Sequence, residues 1–403
     1  MTDPRVSDNW LLGANNIAPA DRLPPTTVRR ADNVDATVGG KFMVRAGYEQ
    51  VYAGTAVRGV LALGHKLLIA DGTDLVEFNT QTNSSAVLRT IAGSGRFVGA
   101  VYAEVLYFCT ENECLEYDGQ EVRRWGVADV LAQPPVAAVA GGALRPGYYK
   151  IAITYSDVDG REGGTDNPLV MFVGEAGAIS IDIPQPPTGH TANLYISSVN
   201  GSTLYRQASY TDAGTVVFGN VRDDLNRLRT IRKRAPSPAD HIVSHKGVIL
   251  MASRNTVWCT VPLSPHLVDR TKRFFQFPVE VGAMMATDDG VFVSADISYF
   301  LASVETDSPQ QRNVVEFPAI PGTAVILPDG RGAWMTKYGQ AVTNGATLAL
   351  VNRENYAVGE RTHGAATVVD HNGNQLIVTA TSGGAGQAAI AASDYFFGEI
   401  LNP

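Results

Sequence analysis

Six short apolar strands, each beside a tight turn, recur along this chain, and their spacing limits the folds open to it. They read LLIADG from Leu67, LYFCTE from Leu106, VILMAS from Val248, VFVSAD from Val291, GAWMTK from Gly332 and QLIVTA from Gln375. Each is followed within a few residues by a second strand-like run: DLVEF, CLEYDG, TVWCTV, SYFLAS, QAVT and QAAIA. The last four are also preceded by one, within DHIVSHKG, GAMMATDDG, TAVILPDG and AATVVDHNG. Lys-Gly, Asp-Gly, Asp-Gly and Asn-Gly fill the turns between, where glycine supplies the positive φ of a tight reversal.

Successive anchors lie 39, 142, 43, 41 and 43 residues apart. A period near ~40 residues carrying three or four short strands is that of a β-propeller blade. Repetition of this kind hides sheet edges, which is its physical advantage. One interval exceeds the others by about 100 residues, room for a small β-sandwich. The expected fold is all-β: a β-propeller of about six blades interrupted by an immunoglobulin- or fibronectin III-like sandwich. The expected division is 1–54 for an N-terminal arm with propeller-closing strands and 55–132 for the first blades. The inserted sandwich takes 133–226 and the remaining blades 227–403. Within the arm, KFMVR and EQVYAG are strand-like runs that topology would allow to complete the last blade.

The insert carries its own signals. In YYKIAITYSD, Tyr149, Ile151, Ile153 and Tyr155 alternate with Lys150, Ala152 and Thr154, the period of a half-buried strand. PLVMFV, ISIDI, ANLYISSVNGSTLYRQAS and TVVFG follow as strands, with Asn200-Gly201 as a hairpin turn.

Composition agrees with many short strands joined by turns. Of 403 residues 45% are hydrophobic and 18% charged, with 40 glycines and 21 prolines, which argues against disorder and against coiled coil. A net charge of −8 makes whole-surface DNA binding a poor expectation. No apolar run reaches the ~20 residues of a membrane helix, and the opening MTDPRVSDNWLLG lacks the pattern of a signal peptide. Synthesis in a reducing cytosol is expected. Of the three cysteines, Cys109 and Cys114 flank a TENE hairpin loop and should face each other as reduced thiols, while Cys259 reads as core.

Few residues carry chemistry. Asp157, Asp159 and Glu162 around Gly160 resemble a calcium loop only in part, lacking its twelve-residue spacing, and read better as a polar hairpin turn. His241 and His245 share a strand face with no third ligand in view, so no metal and no cofactor are expected. There is no sialidase-type Asp box, no G-x-S-x-G and no phosphate-binding loop, so no enzymatic activity is expected. The basic run LNRLRTIRKRAPSP places Arg227, Arg229, Arg232, Lys233 and Arg234 where the insert rejoins the blades. It reads as a solvated linker or a short basic helix, or else as a dock for an acidic partner surface or a phosphate-contacting rim. Trp258 and Trp334 are candidates for glycan contact, although their strand positions favour core packing.

Three longer stretches carry a resemblance. NNIAPADRLPPTTVRRADNVDATVGGKFMVRAGYEQV resembles the openings of bacteriophage tail structural proteins, with an N-x-A-P start, an A-x-N-V-D strand and an R-x-G-Y strand. LRPGYYKIAITYSDVDGREGGTDNPLVMF and TANLYISSVNGSTLYRQAS resemble the sandwich inserted in such proteins. GVILMASRNTVWCTVPLSPHLVD and the FFQFPVEVGAMMATDDGVFVSAD that follows resemble their later blades. The family is that of the tail nozzle or hub proteins of short-tailed bacteriophages. The resemblance implies a virion protein made in the host bacterial cytoplasm, assembling with itself into a ring, usually of six subunits. It further implies head-to-tail adaptor proteins and tail fibres or spikes as partners, and phage DNA passing through during ejection without specific binding. The alternative is a glycan- or receptor-binding propeller module of a phage tail or a cell surface.

Overall fold

In the computed structural model the described residues are 9–30, 34–36, 39–44, 49–93, 95–130, 133–351, 353–371, 374–383 and 396–399. The chain is all-β, built from β-propeller blades: six antiparallel meanders in which consecutive strands are hydrogen-bonded neighbours. All six sequence anchors fall on the second strand of a meander. The chain divides into two compact units, Ala56–Gln276 and Met1–Thr55 with Phe277–Pro403.

The first unit holds blades 1 to 3 and the insert. Blade 1 runs through Val57–Leu63, Lys66–Asp71, Asp74–Asn79 and Ser84–Thr90. Blade 2 uses Val98–Tyr102, Val105–Cys109, Cys114–Tyr117 and Val122–Arg124. Blade 3 uses His241–His245, Val248–Ser253, Thr256–Val261 and Ser264–Asp269, and Lys233–Arg234 extends its outer edge. The first strand of blade 2 touches the first strands of blades 1 and 3, the radial stacking of a propeller. Between blades 1 and 2 lie Leu68, Leu75, Phe97, Leu106, Phe108 and Leu115, and between blades 2 and 3 lie Tyr107, Trp125, Ile249, Met251 and Val268. Lys66 ties the first pair together, donating to Glu77 at 3.1 Å and to the Gly119 carbonyl at 2.6 Å.

The second unit repeats the plan. Blade 4 is Ala283–Ala286, Val291–Ser294, Ser298–Ala302 and Gln310–Val315, and blade 5 is Val325–Ile326, Gly332–Thr336, Gly339–Asn344 and Thr347–Val351. Blade 6 shows His363–His371, Asn374–Ser382 and Phe396–Glu399. The QAAIA run expected as a strand of this blade lies outside the described residues. Phe292, Phe300 and Trp334 form the centre between blades 4 and 5.

The turns separate two uses of glycine. At Lys246-Gly247 both residues hold positive φ, 42° and 81°, as a two-residue reversal requires. Gly290 does not have positive φ; a Cβ there would stand 2.5 Å from the Leu301 carbonyl oxygen, so close backbone approach is what demands glycine. The Asn-Gly turn of blade 6 lies outside the described residues.

Three expectations are corrected. KFMVR and EQVYAG do not complete the last blade: Phe42–Val44 pairs with Val34–Ala36 as its own two-stranded sheet, and 49–54 contains no strand. The arm docks instead through side-chain amides. Asn16 exchanges two hydrogen bonds with the Ala357 backbone, at 2.9 and 3.0 Å, just beyond blade 5.

The insert is a two-sheet sandwich, but not with immunoglobulin strand order. Its seven strands are Val136–Leu144, Gly147–Ser156, Leu169–Val173, Gly177–Ile183, Thr191–Ser197, Leu204–Tyr210 and Gly214–Phe218. The first, fourth and seventh form one sheet, and the third, second, fifth and sixth the other. An immunoglobulin domain keeps its first two strands in one sheet (ABED against CFG), whereas here they separate at once. The inward row Tyr149, Ile151, Ile153 and Tyr155 packs against Ile179, Ile181, Leu194 and Ile196. Ala152 and Thr154, on the opposite row, are also buried. Leu228 and Ile231, just past position 226, cover Ala152, Tyr195 and Leu204, so the return segment packs on the sandwich rather than opening the next blade.

Candidate functional site

Two polar clusters form where the insert meets blades 2 and 3. The first is built from the hairpin that resembled a calcium loop. Asp157 turns the chain by accepting from the amides of Asp159 and Arg161 at 3.1 and 2.9 Å, with Gly160 at φ 78°. This aims Arg161 at blade 2, where its Nη1 donates to both oxygens of Glu116 at 2.8 and 2.9 Å. Its Nε donates to Asp157 at 2.7 Å. Arg123 completes the network through Asp159 at 3.1 Å and Asp118 at 3.5 Å. Glu162 faces elsewhere, accepting from Thr154 at 2.5 Å and Tyr195 at 2.7 Å. The acidic residues of this turn are thus spent on separate partners. Among the described residues no three His, Cys, Asp or Glu side chains come together as a metal site.

Burial sets the electrostatics. The Glu116 side chain is 3% exposed, and desolvation raises its pKa even though Arg161 opposes that rise. Burial works against the Arg161 charge, but Glu116 and Asp157 outweigh it and raise the arginine's pKa. Nearby His266 is pushed down to about 4, first by burial and then by Arg161, so it is neutral at physiological pH.

The second cluster takes up part of the basic run. Arg234 forms a two-pronged pair with Asp166, its Nε 3.2 Å from Oδ1. Arg232 sits at φ 60°, a left-handed conformation that a non-glycine residue adopts at a cost, and donates to Asn167 at 3.2 Å. Its backbone amide donates to the Thr165 carbonyl at 2.7 Å. Arg270, in the turn after the last strand of blade 3, donates to Ser237 at 2.8 Å and lies 5.7 Å from the centre of the Trp258 ring. Arg232, Arg234 and Arg270, with Asp166, Asn167, Thr271 and Gln133, border an open cavity of ≈550 Å³.

The five basic residues of the run therefore do not act as one surface. Arg232, in a turn, and Arg234, on the short strand that follows, share the cavity; Lys233 is half-buried. Arg227 lies over the Tyr205 ring at 5.9 Å, and Arg229 is exposed. Arg270 was not singled out from sequence, although the basic turn DRTKR was a signal for it.

The seam is tight. A Cβ on Gly164 would lie 1.7 Å from the Lys233 carbonyl oxygen, which backbone cannot accommodate without moving. Gly164→Ala is therefore expected to destabilise the Ala56–Gln276 unit by at least the ~1–3 kcal/mol of an overpacked site. Denaturant unfolding checks this, and an unchanged midpoint would contradict the contact.

Other sequence candidates resolve simply. Cys109 faces Cys114 across the blade 2 hairpin, both are buried free thiols, and Cys259 is core. The Cys114 thiol is pushed up by its hydrogen bond with Cys109 and by burial. Trp334 is 1% exposed and packs on Phe292, so it contacts no glycan; Trp258 is half-buried between Phe274 and Arg270. His363 meets Ser382 Oγ through Nε2 at 2.5 Å, but its Nδ1 faces the Thr362 hydroxyl at 2.8 Å and not a carboxylate. That pair lacks the group that orients and stabilises an imidazolium in a hydrolytic triad.

No protein-family model matches the chain, and no curated protein matches it. Solved structures similar to it include the extracellular domain of a hybrid two-component system from B. thetaiotaomicron. That pairing has 13% identity and a TM-score of 0.31, covering 86% of this chain but only 38% of the other. BBS1N in complex with ARL6DN gives 10% identity over 83% and 93% of the two chains with a TM-score of 0.32. The WD40 β-propeller domain of Doa1 gives 11% identity over 81% and 90% with a TM-score of 0.29. At these scores the propeller assignment rests on the chain's own strand order, the repeated antiparallel meanders of consecutive strands.

Proposed function

We propose that the chain is a structural subunit of the tail nozzle or hub of a short-tailed bacteriophage, assembling into a ring of six that conducts DNA during ejection. The observation that carries this reading is the anchorage of the insert. An arginine–carboxylate network around the buried Glu116 and a two-pronged Arg234–Asp166 pair fasten it to blades 2 and 3, as a wall element under mechanical load requires. The resemblance of the arm, the insert and the later blades to phage tail proteins supports it. So does the net charge of −8, since a negatively charged lumen does not grip passing phosphates. Among the described residues no helix is long and apolar enough to cross a membrane.

A second reading, a receptor- or glycan-binding module, is favoured by the outer face of the insert. Tyr148 and Phe172 are 57% and 55% exposed and stack edge to face at 5.3 Å, with Val170 beside them. Immunogold electron microscopy of phage particles, with antibody to the purified chain, separates the two. Label confined to the tail vertex is expected; label on cells with bare particles would remove the tail reading and favour the binding module.

A further inference from the structure

Of the cavity's residues, Arg234 and Asp166 serve the anchorage described above, whereas Arg232 and Arg270 have no part in either reading. Asp166 pairs with Arg234, whereas Arg232 and Arg270 meet no carboxylate among the described residues. Both are nevertheless held in place by neutral partners, Arg232 by Asn167 and its left-handed backbone, Arg270 by Ser237 and the Trp258 face. Three arginines against one aspartate leave a net charge of +2 around the cavity. Guanidinium forks bind phosphate or carboxylate oxygens in pairs, and a phosphate monoester near neutral pH carries the matching charge of about −2.

Every residue around the cavity is polar or charged, so the hydroxyls of a hydroxylated body would find hydrogen-bond partners there. The volume of ≈550 Å³ exceeds what one phosphate fills and lies within the ~300–1,000 Å³ of small-molecule sites. We propose that this cavity binds a phosphorylated sugar. The phosphate lies between Arg232 and Arg270, and hydroxyls of the sugar meet the Asn167 amide and Thr271.

Isothermal titration of the full chain tests this, with glucose 6-phosphate as probe and glucose, inorganic phosphate and glucuronate as comparisons. Saturable binding of glucose 6-phosphate at about 1 mM or below is expected, at least tenfold tighter than any comparison. Arg232→Gln and Arg270→Gln should each weaken it roughly tenfold, the loss of one charge-assisted pair, with thermal unfolding unchanged. Absence of saturation, or binding that both variants leave intact, would overturn the site. Glucuronate binding as tightly would overturn the phosphate assignment, and inorganic phosphate binding as tightly would overturn the sugar. None of these outcomes bears on where the chain sits in a virion.

Discussion

Arg161→Ala is expected to lower the stability of the Ala56–Gln276 unit by about 3–5 kcal/mol, because it strands a buried carboxylate. Glu116 would lose both of its short hydrogen bonds and keep only Arg123, whose Nε is 3.8 Å away. Glu116→Gln should cost less, since it removes the charge that burial penalises while keeping the side-chain shape. The double variant should recover much of the loss, which a double-mutant cycle in denaturant measures directly.

The pH dependence has a definite sign. A carboxyl whose pKa is raised on folding binds its proton first in the native state, so stability rises as pH falls through the folded value towards the ordinary carboxylate range. Removing Arg161 raises that value further. The deficit of Arg161→Ala should therefore be greatest at neutral pH and shrink on mild acidification. A deficit that does not change with pH would mean that Glu116 is not the group left uncompensated.

Trp125→Ala is the second large effect, expected at about 3–5 kcal/mol. The indole is fully buried between blades 2 and 3, tilted on Tyr107 at 5.1 Å and packed with Ile249, Met251 and Val268. Its Nε1 donates to the Pro265 carbonyl on blade 3 at 2.9 Å, so truncation also leaves an orphaned acceptor. Trp125→Phe should lose less, keeping most of the volume but not the hydrogen bond. Equal losses for the two variants in chemical denaturation would show that the hydrogen bond, not the filled volume, dominates at this position.

Much of the fold was legible because strands and tight turns are local objects. VILMAS, VFVSAD and GAWMTK each became the second strand of a blade, since apolar runs bounded by glycine turns settle that outcome within a few residues. What failed was everything that depends on a distant partner. Phe42–Val44 looks like a strand and is one, but its mate is Val34–Ala36 and not the last blade. Ala152 and Thr154 alternate as an outward face should, yet the return segment and Glu162 cover them.

The candidate sites divide in the same way. The acidic turn at Asp157 was visible as a hairpin, but nothing local announced that Arg161 would reach Glu116, 45 residues earlier. Arg232 and Arg234 stood out as part of a basic run, whereas Arg270 joins them only because the outer edge of blade 3 passes the insert. The sequence alone determined the strands, their turns and the period that makes blades, because these follow from side-chain alternation and backbone dihedrals within a short window. Tertiary structure decided which charges are buried together, which faces are covered and how the insert orders its strands. Those outcomes depend on burial and pairing across long stretches of chain, which local pattern does not encode.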